Sequence, residues 1–63
     1  MNDLIYDFKN DFKNKFSYIY FEDFVSDKKI GEWIEENMKY DYNMMLEYFA
    51  DYCISQGLCE VVE

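Results

Sequence analysis

The sequence predicts an all-α fold, a compact bundle of three short helices formed by one domain over residues 1–63. Two observations support this prediction. Apolar residues recur at steps of three and four in three separate segments, as they do on one face of an amphipathic helix. Residues that favour helix N-caps precede the second and third segments, and a glycine follows the third.

The first predicted helix runs from Asp3 to Phe16, and either Asn2 or Asp3 can cap its start. Its apolar residues are four positions apart, with Ile5 beside the first of them. They are Leu4, Phe8, Phe12 and Phe16. This stripe is expected to face the core.

The segment from residue 17 to residue 24 is compatible with two structures. The step of four from Phe12 through Phe16 to Tyr20 continues the helix, whereas the aromatic and β-branched content favours a strand. The alternative fold is therefore a small α+β arrangement with a short sheet from residues 17–21 and 58–62. Periodicity leaves helix and strand open in this segment.

Ser26 followed by Asp27 predicts the cap and first turn of the second helix, which is expected to end near Tyr40. Gly31 lowers the intrinsic stability of this helix by up to about 1 kcal/mol relative to alanine. Tertiary packing of the apolar face must therefore stabilise the helix. That face contains Ile30, Trp33, Ile34 and Met38.

Asp41 is expected to cap a third helix that runs to about Gln56 and ends at Gly57 in a left-handed conformation. Its apolar stripe consists of Met45, Phe49, Tyr52 and Cys53, widened by Met44 and Tyr48. A disulfide between Cys53 and Cys59 would close a very short loop, so we expect free, reduced thiols.

The composition argues against several classes of function. The chain has no histidine and two cysteines, which leaves no ligand set for zinc. It has no glycine-rich phosphate loop and few nucleophiles, so we expect no enzyme, no cofactor and no metal. Its lysines are interleaved with acids, which argues against direct nucleic-acid binding. The first residues contain no signal peptide or membrane span, so we expect a cytoplasmic protein without membrane association.

Negative charge is concentrated in the second half of the chain. Residues 1–29 carry six acids and five lysines, a net of −1, whereas residues 30–63 carry eight acids and one lysine, a net of −7. Glu32 and Glu36 are one helical step apart, as are Glu47 and Asp51. Neighbours in such rows lie about 6 Å apart, close to the spacing of phosphates along a nucleic-acid strand. A solvated face that keeps the protein soluble is the simpler interpretation.

Tyrosines lie among these carboxylates, and tyrosine is enriched at binding hot spots. Those at the helix boundary, Tyr40 and Tyr42, are expected to be exposed, whereas Tyr48 and Tyr52 are expected to be half-buried. The predicted partner-binding surface spans the second and third helices. It comprises Glu32, Glu35, Glu36, Tyr40, Asp41, Tyr42, Glu47, Tyr48 and Asp51.

In size, charge and aromatic content, the whole chain resembles the small acidic inhibitors of phages and mobile elements that mimic DNA, including anti-CRISPR and antirestriction proteins. This resemblance implies an inhibitor that blocks a basic nucleic-acid-binding protein, such as a nuclease, in a bacterial or phage-infected cell. The alternative is a non-enzymatic structural or regulatory interaction module. As a homodimer, such a module would bury its surplus aromatic residues in an interface.

Overall fold

The computed structural model describes residues 3–62, with the side chain of Asp3 excepted. The described elements are, in order, α1 (Asp3–Lys15), β1 (Ile19–Tyr20), α2 (Asp27–Glu36), α3 (Tyr42–Gln56) and β2 (Glu60–Val61). The predicted bundle of three short helices is confirmed. The predicted cap of α1, at Asn2 or Asp3, lies outside the described side chains.

The two short strands form an antiparallel ladder in which Ile19 lies opposite Val61. Beside this pair, the backbone N–H of Val62 donates to the carbonyl of Tyr18 at 2.7 Å. The helix does not continue through the ambiguous segment, and the sheet of the alternative fold is present with two residues in each strand. A two-stranded ladder this short is not stable alone, so the burial of Ile19 in the core must hold it.

The predicted N-caps of α2 and α3 are confirmed. The Ser26 hydroxyl accepts a hydrogen bond from the backbone N–H of Lys29 at 3.2 Å. The Asp41 carboxylate accepts one from the backbone N–H of Met44 at 2.9 Å. Each cap satisfies an N–H that has no partner inside its helix.

The predicted left-handed end of α3 is also confirmed. Gly57 has φ 67°, and its backbone N–H donates to the carbonyl of Ile54 at 3.3 Å. The N–H of Leu58 donates to the carbonyl of Cys53 at 2.8 Å. These two bonds form a Schellman motif, which satisfies the last carbonyls of the helix.

The second helix ends earlier than predicted, at Glu36. The backbone N–H of Asn37 bonds to the carbonyls of Trp33 and Ile34, and its side-chain amide donates to the Trp33 carbonyl at 2.8 Å. Because Asn37 closes the helix, Met38 lies in the following turn and is 63% exposed. The prediction that Met38 lies on the buried face of α2 is therefore wrong.

The core is centred on Phe49, which is fully buried. Four aromatic side chains place their ring centroids 5.0–5.5 Å from that of Phe49, at interplanar angles of 73–88°. They are Phe8, Phe12, Phe21 and Trp33. Edge-to-face pairs of this kind each contribute about 0.5–1.5 kcal/mol beyond the area they bury. One ring of α3 thus connects α1, α2 and the segment between them.

The buried face of α1 passes through Ile5 and not, as predicted, through Leu4, which is exposed. Ile5 packs against the core and approaches α2 at Gly31. A Cβ at Gly31 would lie 3.2 Å from the Cδ1 atom of Ile5. A side chain at Gly31 would therefore require the Ile5 methyl group to move by a few tenths of an ångström.

Alanine at the two glycines is expected to have opposite effects on stability. Gly31→Ala gains up to about 1 kcal/mol of helix propensity, and the Ile5 methyl group it meets is the far end of a flexible side chain. Gly57→Ala forces a side chain into the left-handed conformation, which costs about 1–2 kcal/mol. The urea midpoint of unfolding should rise for the first variant and fall for the second. Shifts in the same direction would contradict this assignment.

Candidate functional site

Three glutamates and two lysines are exposed on α2, away from the residues that the helix buries: Glu32, Glu35, Glu36, Lys28 and Lys29. Glu32 and Glu36, one turn apart, line a depression between α2 and α3. Lys29 and the rings of Trp33 and Tyr52 also line it, and the centroids of the two rings are 6.2 Å apart. Glu35 is exposed but does not border this depression. The predicted row on α2 therefore lies beside two aromatic rings.

A groove of about 280 Å³ lies between the end of α1, β1 and α3, and we call it the α1–α3 groove. Glu47 and Asp51, the predicted row on α3, line it together with Lys15. The remaining lining side chains are apolar or aromatic. They are Phe16, Tyr18, Ile19, Ala50 and Ile54.

The two predicted rows therefore line two different depressions. Tyr52 borders the first and Ile54 borders the second. Residues two positions apart on an α-helix are rotated by about 200°, so these two side chains lie on opposite sides of α3. The structure thus divides the predicted surface into two acidic faces and does not bring its nine residues into one patch.

Two of the predicted site tyrosines pack against each other. The ring centroids of Tyr40 and Tyr48 are 4.9 Å apart at an interplanar angle of 73°. Tyr40 is half-buried, so the expectation that it is exposed is wrong. Tyr48 is 39% exposed, so the expectation that it is half-buried is wrong as well. The ammonium of Lys39 lies 5.2 Å from the centroid of the Tyr40 ring. This arrangement adds a cation–π contact at the edge of the acidic surface.

Asp41 and Tyr42 have polar groups that are engaged within the fold. Asp41 caps α3, and the Tyr42 hydroxyl donates to the Asp11 carboxylate at 2.5 Å. The Tyr42 ring lies edge-on to Phe8, with centroids 6.1 Å apart. Burial, together with the hydrogen bond to Asp11, raises the pKa of the Tyr42 hydroxyl. These contacts attach the start of α3 to α1.

The lysines of α1 pair with acids from three other parts of the chain. Lys9 lies 3.0 Å from Asp27, Lys13 2.7 Å from Glu22, and Lys15 3.4 Å from Glu47. Hydrogen bonding to Glu22 raises the pKa of Lys13. Within residues 3–62, five acids of the predicted site take part in no ion pair: Glu32, Glu35, Glu36, Asp41 and Asp51.

The apolar part of the α1–α3 groove was missed from the sequence. Ile54 follows the last residue of the predicted α3 stripe and is 53% exposed. Because Ile54 is apolar but lies outside the predicted buried stripe, it could have indicated an apolar surface on this side of α3. Phe16 ends the first predicted helix and Tyr18 lies in the segment whose structure periodicity left open, so the sequence could not place them beside α3.

What the described side chains provide is charged and apolar surface for contact with another molecule. No group of three or more acidic or cysteine side chains within residues 3–62 is arranged to hold a metal ion. Cys53 and Cys59 are free, and burial raises the pKa of the Cys53 thiol to about 12. This thiol therefore stays protonated at neutral pH and is a poor nucleophile. None of the described helices has both the length and the apolar character needed to cross a bilayer.

Comparisons with protein-family models, with curated proteins and with solved structures find no match to this chain. The charge distribution and the two depressions therefore form the basis for a functional proposal.

Proposed function

We propose that this protein is a non-enzymatic inhibitor that binds a basic nucleic-acid-binding protein, such as a nuclease, and blocks it as a nucleic-acid mimic. The observation that carries the proposal is the net charge of −7 on residues 30–63. The inhibitor would act in the cytoplasm of a bacterial or phage-infected cell, in the manner of anti-CRISPR and antirestriction proteins. It would need neither a cofactor nor a metal.

The ion pairs within the described part of the fold leave carboxylates of α2 unpaired, so their negative charge can act on a partner. The lysines of α1 are paired with Asp27, Glu22 and Glu47, whereas Glu32 and Glu36 have no ion pair among the described residues. Lys29 lines the same depression and offsets one of these two charges, which leaves an excess of negative charge there. Such an excess attracts a positively charged partner and raises its association rate. The acidic face of α2 is therefore suited to capture a basic surface.

The spacing of the carboxylates supports mimicry of a nucleic-acid strand. Successive members of a row, such as Glu32 and Glu36, lie about 6 Å apart on a helix. Beside this row, the half-buried ring of Tyr52 supplies a flat surface. Proteins that bind single strands combine a positive groove with aromatic stacking, and a row of acids next to a ring complements such a groove.

The proposal predicts capture of a basic protein that nucleic acid displaces. The immobilised protein is exposed to a bacterial lysate, and bound proteins are eluted with duplex DNA or with polyglutamate of equal charge. We expect a nucleic-acid-binding protein to elute with DNA at lower concentration than with polyglutamate, because DNA occupies the same site. Calorimetry with that protein should show affinity falling steeply between about 50 and 500 mM salt. An affinity unchanged by salt or by DNA would refute mimicry.

A second candidate function is a self-associating interaction module. It is favoured by apolar side chains that remain exposed, including Phe24 at 47% and Ile54 at 53%. The chain's net charge of −8 opposes self-association, since two copies repel each other. Sedimentation would identify this alternative by a dimer that becomes stronger as salt screens the repulsion.

A further inference from the structure

We propose that the α1–α3 groove receives an arginine side chain of the basic partner protein. Its guanidinium would lie between the carboxylates of Glu47 and Asp51, and its aliphatic part would lie along the apolar side chains of the groove. This inference rests on the proposed function, because it assigns one contact point of the same partner.

The lining of the groove matches the chemistry of arginine. Arginine buries its aliphatic stem against apolar surface while its charged end stays near water. The planar guanidinium forms paired hydrogen bonds with carboxylates and stacks on aromatic rings. The groove supplies all three elements, with Ile54 for the stem, Tyr18 for the ring and Asp51 for the charge. Tyr18, Ile54 and Asp51 are all exposed and therefore accessible to a partner.

A cation of the chain itself already contacts one carboxylate and one aromatic ring of the groove. The Lys15 ammonium lies 3.4 Å from Glu47 and 5.9 Å from the centroid of the Phe16 ring. The Lys15 and Glu47 side chains are 36% and 63% exposed, and exposed pairs of this kind contribute little to stability. Asp51 has no ion pair among the described residues. Lys15 therefore occupies the site weakly, and a partner's arginine that reaches both carboxylates can displace it.

Exposure and charge favour a partner's side chain over two other occupants. Five of the eight lining residues are exposed, whereas a small-molecule site buries most of its ligand. A second copy of the chain contains no arginine and carries the same net charge of −8. The groove is therefore better matched to a basic segment of a different protein.

The test uses a capped peptide, acetyl-(Arg-Leu)3-amide, titrated into ¹⁵N-labelled protein at about 50 mM salt, where exposed charges are weakly screened. We expect chemical-shift changes to cluster at residues 15–19 and 47–54. The double variant Glu47→Gln, Asp51→Asn should weaken binding about tenfold, from two exposed charge contacts. Lys15→Met should strengthen binding, because it removes the competing cation. The corresponding lysine peptide should bind several-fold more weakly, since an ammonium cannot form the paired hydrogen bonds.

The matched control is Asp7→Asn with Glu60→Gln, which changes the net charge by the same two units at exposed acids outside the predicted site and outside the groove. We expect it to weaken peptide binding less than about twofold, as expected for charges outside the contact. If both pairs weaken binding equally, the peptide senses only bulk charge and the groove site is wrong. If Lys15→Met weakens binding, Lys15 is part of the binding surface and its role as a competitor is refuted.

Two further measurements separate the groove from the proposed function. Ile54→Ala removes an exposed apolar contact without changing charge, and it should weaken peptide binding while leaving the urea midpoint nearly unchanged. Shift changes at these residues on raising the protein concentration alone would assign the groove to a second copy. If the peptide does not bind but a basic protein is still captured and displaced by DNA, the groove assignment fails and the inhibitor proposal stands.

Discussion

Replacement of Phe49 by alanine is expected to leave a large fraction of the protein unfolded at physiological temperature. Domains have stabilities of about 0.05–0.15 kcal/mol per residue, which gives about 3–9 kcal/mol for a chain of this length. Truncation of a buried phenylalanine to alanine costs about 3–5 kcal/mol. The loss is therefore comparable to the whole stability of the domain. Circular dichroism during urea unfolding would measure it.

The position of Phe49 explains why the stability lost in Phe49→Ala should lie near the upper end of the range of about 3–5 kcal/mol. The ring forms edge-to-face pairs with Phe8, Phe12, Phe21 and Trp33, so its removal leaves a cavity bordered by α1 and α2. Phe49→Leu, which retains most of the volume, should be clearly less damaging. The control is Phe24→Ala, at a residue that is 47% exposed, where the change should stay within about 0.5 kcal/mol. Equal midpoints for Phe49→Ala and Phe24→Ala would show that Phe49 is not the centre of the core.

Replacement of Glu32, Glu35 and Glu36 by glutamine is expected to slow association with the basic partner about tenfold at low salt. None of these carboxylates takes part in a described ion pair, so their removal lowers the outward field without opening a contact of the fold. Stopped-flow association at low and high salt would measure the effect. The difference from the unmodified protein should shrink as salt screens the charges.

A control with the same change of net charge distinguishes a local surface from overall acidity. Asp7, Asp23 and Glu60 are exposed, lie outside the predicted site and take part in no described ion pair. Their replacement by the corresponding amides should slow association much less than the α2 triple variant. Equal effects of the two triple variants would mean that the partner senses net charge and not the acidic face of α2.

The elements that were predictable from sequence are those set by local chemistry. Ser26 and Asp41 cap α2 and α3 because a short polar side chain can bond a free N–H two or three residues later. Gly57 ends α3 because glycine adopts positive φ without steric cost. Such signals need no knowledge of the rest of the fold.

Two predictions from the sequence, the buried positions of Met38 and Leu4, were wrong. In each case a helix cap or a tertiary contact determined the structure. Asn37 ends α2 through its own side chain, which places Met38 in solvent although its spacing fits the apolar face. Ile5, and not Leu4, packs against the core, at the point where α1 approaches α2 at Gly31. The spacing of apolar residues along one segment reveals neither the Asn37 cap nor the packing of α1 against α2.

The candidate site, like the fold, could be predicted in part from the sequence. The four-residue spacing placed Glu32 with Glu36, and Glu47 with Asp51, and each pair does line one depression. Lys15 and Glu47 are 32 positions apart in the sequence, so their pairing depends on how α1 packs against α3. The division of the acidic surface into two faces follows from that packing and could not be predicted from spacing alone.

The single tryptophan gives the molecule an internal optical probe at an informative position. Trp33 is buried against Phe49 in the core and also lines the depression bordered by Glu32 and Glu36. Its emission therefore shifts to longer wavelength when the core opens to water. Because Trp33 borders this depression, we expect a ligand that covers the acidic face of α2 to change the intensity of that emission while the core stays closed. Unfolding and occupancy can thus be followed separately in unlabelled protein.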